Sequence, residues 1–133
     1  MSPELALQKA VIACLRTDTG LSALVGARVH DQPPEDRIYP MVTLTRAEVR
    51  PWGGVDGEGT EHVLTLTVTS RFEGTEEAKA IIAAIRVALD NPALTLDGHR
   101  LVNLRCAFCD VFRAADWRSV IGVARVRAVV EPL

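Results

Sequence analysis

A change of hydrophobic period inside one stretch, Glu61–Leu89 (EHVLTLTVTSRFEGTEEAKAIIAAIRVAL), constrains the fold more than any other feature of the chain. Its first half alternates. Leu64, Leu66, Val68 and Phe72 fall on one face, and Val63, Thr65, Thr67, Thr69 and Arg71 fall on the other. Period two with Val and Thr enrichment predicts a half-buried strand. In the second half Ala78, Ile81, Ile82, Ile85, Ala88 and Leu89 recur at helical spacing and make one apolar stripe. Glu73-Gly74 turns the chain, Thr75 is placed to cap the helix, and Glu76 and Glu77 lie where the helix dipole favours negative charge. Burying each large apolar residue of the stripe is worth roughly 1.5–3 kcal/mol, so the helix is expected to lie on a sheet.

The remaining segments supply that sheet and a second helix. Ser2-Pro3-Glu4 reads as a helix start, with Leu7, Val11, Cys14 and Leu15 as the apolar stripe. Asp18-Thr19-Gly20 ends it, and Leu21, Leu24 and Val25 suggest one more turn before Gly26. Asp31–Arg37 is a polar loop with two prolines, and Pro40 opens a strand over Met41–Arg50. Pro51–Thr60 (PWGGVDGEGT) is a hairpin connection longer than a tight turn. After the central stretch Asn91-Pro92 stops the helix, Leu94-Thr95-Leu96 is a short extended piece, and Asp97-Gly98 turns. Two long strands complete the chain, Arg100–Arg113 and Arg118–Glu131, joined by Ala114–Trp117. The expected fold is therefore α+β: a four-stranded antiparallel sheet of two hairpins with two helices on one face, in the order α-β-β-α-β-β. All 133 residues are expected to form one domain.

Charge and cysteine usage narrow the function classes. Fifteen Lys+Arg against seventeen Asp+Glu give a net charge of −2, which offers no overall basic field for nucleic acid. No apolar run reaches the roughly 18 residues of a membrane span. The start of the chain lacks a signal-peptide pattern, and three cysteines in such a chain suggest free thiols in a reducing compartment.

Candidate chemistry is sparse. Cys106-Ala-Phe-Cys109 has C-x-x-C spacing, but on a regular strand residues three apart point to opposite faces. That arrangement predicts a core-packed Cys106 and an inert outer thiol at Cys109, with no shared metal. His30, His62 and His99 are scattered beside turns and read as loop or surface residues. The glycine-rich loop lacks the phosphate-loop pattern and carries Asp56 and Glu58, which would repel phosphate. A hairpin tip that orders against a partner suits it better. Trp52 at its base and Trp117 in the other hairpin turn are each either a local anchor or a contact hot spot. No catalytic residue, cofactor site or metal site is expected.

The last hairpin is informative in its pairing. If Val102, Leu104, Cys106, Phe108 and Phe112 face the core together with Val120, Ala124, Val126, Ala128 and Val130, then Phe108 lies across from Gly122 and Arg105 across from Arg125, with Arg127 beside Asn103. Like charges directly opposite are unfavourable, so water or something acidic must cover that face. The arginines are either solvated or a subunit contact that receives carboxylates.

The whole layout resembles the tail-completion, or tail-terminator, proteins of long-tailed phages, prophages and gene transfer agents. The resemblance is carried by LQKAVIACLRTDTGLSALVGARVHDQPP, YPMVTL, the central EHVLTLTVTSRFEGTEEAKAIIAAIRVAL with its continuation DNPALTLDGHRLVNLR, and the closing hairpin. It implies a structural virion protein, not an enzyme, at the tail–neck junction. Such a protein forms a ring with copies of itself, usually a hexamer. It caps the tail tube protein, stops tube polymerisation, meets the neck or head-completion protein, and lets DNA pass without sequence-specific binding and without any membrane. The alternatives are a head–tail connector or neck component, and a small α+β enzyme or ligand-binding protein.

Overall fold

A computed structural model describes residues 1–53 and 57–133. The elements are α1 (Pro3–Thr17), α2 (Thr19–Val25), β1 (Val29–His30), β2 (Met41–Trp52), β3 (Gly59–Ser70), α3 (Glu76–Ala88), β4 (His99–Arg113) and β5 (Val120–Pro132). The sheet has five strands in the order β1-β2-β3-β5-β4. All neighbours run antiparallel except β1, which pairs parallel to β2 through Val29↔Val42 and His30↔Thr43. The expected four-stranded antiparallel sheet with two helices is thus corrected to a five-stranded mixed sheet with three helices, in the order α-α-β-β-β-α-β-β.

The third helix arises because Asp18 does two jobs. It ends α1 with extended backbone, and its carboxylate accepts from the Leu21 amide at 2.9 Å to cap α2. The hydroxyl of Ser2 accepts from the Leu5 amide at 3.2 Å and Pro3 fills the first turn, so α1 begins where its residues predict. Thr75 makes no side-chain cap at α3. Ser70, buried at the end of β3, instead donates to Glu77 at 2.7 Å and ties strand to helix. Phe72 lies beyond that strand end and is exposed, not in the core.

Helix α3 packs against β3, β4 and β5, and α1 and α2 pack against it. The stripe Ala78, Ile81, Ile82, Ile85 and Leu89 is buried, as are Leu64, Leu66 and Val68 of β3 and Val120, Ala124, Val126, Ala128 and Val130 of β5. Most of these join Leu7, Val11, Leu15, Leu21 and Val25 in one apolar cluster. Asn91, with φ +47°, exchanges two bonds with Leu104 of β4: its amide donates to the Leu104 carbonyl at 2.8 Å and its side-chain oxygen accepts from the Leu104 amide at 3.1 Å. The end of α3 is thereby fastened to the outermost strand.

Strand β4 departs from regular alternation twice. Its register against β5 shifts between Leu101 and Asn103 and again between Cys106 and Phe108, leaving Val102 and Ala107 as bulged residues. Each extra residue reverses the facing of the residues beyond it. Leu104 and Cys106 keep the expected core side, but Val102, Phe108 and Phe112 are exposed, while Leu101, Cys109 and Val111 pack on the core. Phe108 is opposite Arg125, not Gly122, and Arg105 is opposite Arg127, not Arg125.

Candidate functional site

The sheet face turned away from the helices carries three of the residues singled out from the sequence. Register aligns Arg105 with Arg127 across β4 and β5, and Arg127 with Val63 across β5 and β3. Two rungs along, Phe108 pairs with Arg125, whose guanidinium stands over the phenyl ring at 5.0 Å from its centroid. Rows of threonine flank this patch, and Thr45 and Thr67 share a hydroxyl bond of 2.9 Å. A like-charge pair therefore exists, but it is Arg105–Arg127, two residues along β5 from the Arg125 that alternation alone puts opposite Arg105.

The acid that relieves it is intramolecular. Glu61 of β3 has a side chain only 6% exposed, clamped between Arg50 of β2 and Arg127 of β5. Arg127 Nε donates to Oε2 at 2.7 Å, and Arg50 bonds Oε1. The hydrogen bond from Arg127, more than any other influence, holds this carboxyl below its ordinary value. Alternation alone gives Glu61 no role on this face. The available signal is the β2–β3 hairpin, in which Arg50 and Glu61 are direct cross-strand partners. With Arg127 paired to Glu61, which it shares with Arg50, Arg105 and Arg125 are the outer-face arginines of this patch that make no ion pair among the described residues.

The other candidates sit at opposite ends of the sheet. Trp52 and Glu58 lie at the β2–β3 tip, where they border an open groove with Gly59, Glu131 and Pro132. Trp52 covers Gly59 so closely that a Cβ there would come within 3.1 Å of the indole. Asp56 lies outside the described residues. Trp117 occupies the β4–β5 turn at the far end, 75% exposed, with φ +60°. A bulky residue in that backbone region costs on the order of 1–3 kcal/mol and marks a position held for a reason. Arg113 stacks beside it at 5.6 Å, and the nearby Phe72 and Phe112 are also exposed. One end therefore groups exposed aromatic side chains with Arg113 and Asp116, and the other sets a tryptophan beside Glu58 and Glu131.

Two expectations about reactive side chains are corrected. His62 is not a surface histidine: it is 1% exposed on the core side of β3, bonded through Nε2 to the Thr60 hydroxyl at 2.8 Å. Cys106 and Cys109 do not point to opposite faces. The bulge at Ala107 pairs them with Val126 and Ala124, which are two residues apart on β5, so both thiols face α3. Among the described residues no group of three or more His, Cys, Asp or Glu side chains could hold a metal ion.

The buried His62 and Glu61 set a pH response. Burial pushes His62 below its ordinary 6.5, and Glu61 lies below its ordinary 4.5. Both depressed values make stability fall with pH: the buried neutral His62 resists the proton that the unfolded chain takes up, and Glu61 loses the charge that its arginines hold. Thermal melts are expected to show stability falling as pH drops below about 6.5, then falling again below about 4.5. His30, also lowered by burial, adds to the first limb, so His62→Gln should make that limb shallower and leave the second. A melting temperature independent of pH across the first limb would contradict the buried neutral imidazole.

Comparison with known proteins agrees with this architecture. The family model for the tail completion protein gp17 matches residues 9–131. A chain from the virion of a native gene transfer agent particle is 32% identical, with a TM-score of 0.90 over 98% of this chain and 99% of that one. The gp17 protein of bacteriophage SPP1 shares the fold, with a TM-score of 0.65 and 24% identity over 94% of this chain and 88% of that one. A phosphoglucosamine mutase of Cupriavidus pinatubonensis (strain JMP 134 / LMG 1197) is 37% identical over 101 residues, and the aligned stretch, 72% of this chain, spans only 21% of the length of that enzyme. With a match running through nearly every element from α1 to β5, the chain belongs to the tail completion protein gp17 family.

Proposed function

We propose that the protein is a structural virion component that closes the tail tube: it assembles as a ring, of six copies as the resemblance implies, caps the last ring of tube protein, and presents a different surface to the neck. The observation that carries this reading is the similarity over 98% of the chain to a component of a gene transfer agent virion. The geometry supports it in kind. A protein that mates with two different partners along one axis needs two unlike ends, and the Trp117 end differs in chemistry from the Trp52–Glu58 end. Termination is then a matter of surface matching. One end reproduces what a tube subunit would meet, and the other withholds it. The outer face with Arg105, Phe108 and Arg125 is the surface assigned to neighbouring copies. The mutase similarity covers too little of that enzyme to bring its activity here.

The test is assembly. Purified protein mixed with tube protein should form closed rings at tube ends in electron micrographs, and particles made without it should carry tubes of uncontrolled length. Tubes of normal length in its absence would remove the terminating role.

A further inference from the structure

We infer that Cys106 and Cys109 form a dithiol site that small disulfide oxidants convert reversibly to an intramolecular disulfide. The inference stands on geometry that regular strand pairing forbids. The bulge at Ala107 turns both thiols toward α3, and their sulfur atoms lie 3.1 Å apart. A bond requires them to close by about 1 Å. The pair is not sealed in the core: both side chains are half-buried, and Cys106 lines an open cavity of about 500 Å³ with Ala83, Arg86, Val87 and Asp90 of the α3 end and Arg105 of β4. The third cysteine, Cys14, lies on α1, where it bonds the Ala88 carbonyl at 3.8 Å.

The geometry also orders the reaction. Cys106, at the cavity wall, is the thiol that an oxidant reaches. It loses its proton to solvent, and the thiolate attacks one sulfur of glutathione disulfide. A mixed disulfide forms and one glutathione leaves as thiolate. Cys109 then loses its proton and attacks the Cys106 sulfur, expelling the second glutathione. Two protein thiols are oxidised, one glutathione disulfide is reduced to two glutathiones, and the two protons released end on the glutathione thiolates. Burial is the chief cause that raises the Cys109 thiol to about 11, so little of it is thiolate near neutrality and the first attack falls to Cys106. The new bond would span the bulge that directs Phe108 to the outer face.

The test uses the intact protein equilibrated with excess glutathione disulfide, then denatured and alkylated. Alkylatable cysteines are expected to fall from three to one, with peptide mapping assigning the remaining thiol to Cys14 and a cross-link to Cys106–Cys109. Dithiothreitol should restore all three. In Cys109→Ser the reaction should halt at a glutathione adduct on Cys106. Three free thiols after oxidation of the wild-type protein, separate adducts on each cysteine, or cross-links between molecules would each overturn the inference.

Discussion

Arg105→Glu/Arg125→Glu is expected to abolish ring formation while leaving the fold intact. Neither residue is paired with a carboxylate among the described residues, and Arg125 contributes to the fold only by standing over the exposed Phe108 ring. Reversing two surface charges of this kind, with loss of the contact to Phe108, changes monomer stability by about 1 kcal/mol. Across an interface that brings acidic groups to this face, the same change sets like charges together, which costs several kcal/mol and weakens association by well over about tenfold. Arg127 would not serve the same purpose. Arg127→Glu would set a second carboxylate against the buried Glu61 and disturb the fold itself, so lost assembly in that variant would not report on an interface. Sedimentation velocity and thermal melts of the double variant separate the two effects. Rings that persist at wild-type concentrations would show that the outer face is merely solvated.

The boundary between legible and hidden features in this chain is set by the range of the interactions involved. The switch from strand to helix across Glu61–Leu89 is local and holds from Leu64 to Leu89, because period and burial agree at almost every position. Helix α2 is half visible as Leu21, Leu24 and Val25, but its independence from α1 rests on the single carboxylate of Asp18. Strand β1 has two residues and exists only because β2 lies beside it, a tertiary fact. The bulges in β4 are hidden for a different reason. Apolar residues occur there at both parities, Val102, Phe108 and Phe112 on one and Leu101, Cys109 and Val111 on the other, so alternation cannot choose between faces. The choice is made by packing against β5 and α3. It produces the thiol pair, the outward Phe108 and the true partner of Arg127, all out of reach of a strictly alternating reading. Glu61 escapes notice because its value lies in Arg127, 66 positions away on β5.

Gly122→Val should be among the most damaging single substitutions, and its cause can be isolated. Gly122 lies in β5 between Val68 of β3 and Val111 of β4, facing α3. A Cβ at this position would stand 3.0 Å from Ile82 Cγ1, 3.2 Å from Ile82 Cδ1 and 3.2 Å from Val68 Cβ. The helix reaches the sheet here because no side chain holds it off, and valine adds two further methyl groups to that contact. Overpacking of this kind costs about 3 kcal/mol, a drop in Tm on the order of 10 °C for a chain of this size. The closest atoms belong to the Ile82 side chain, while Val68 Cβ is held by its strand, so Ile82 is the part of the restraint that a substitution can relieve. Ile82→Ala alone should cost about 2–4 kcal/mol through the cavity it opens. Combined with Gly122→Val it supplies the missing volume, and the double variant should be more stable than the sum of the two losses by about 1–2 kcal/mol. Strictly additive losses in denaturant titrations would mean that Ile82 does not set the spacing of α3 on β5. In that case the close approach at Gly122 would not be the contact that seats the helix.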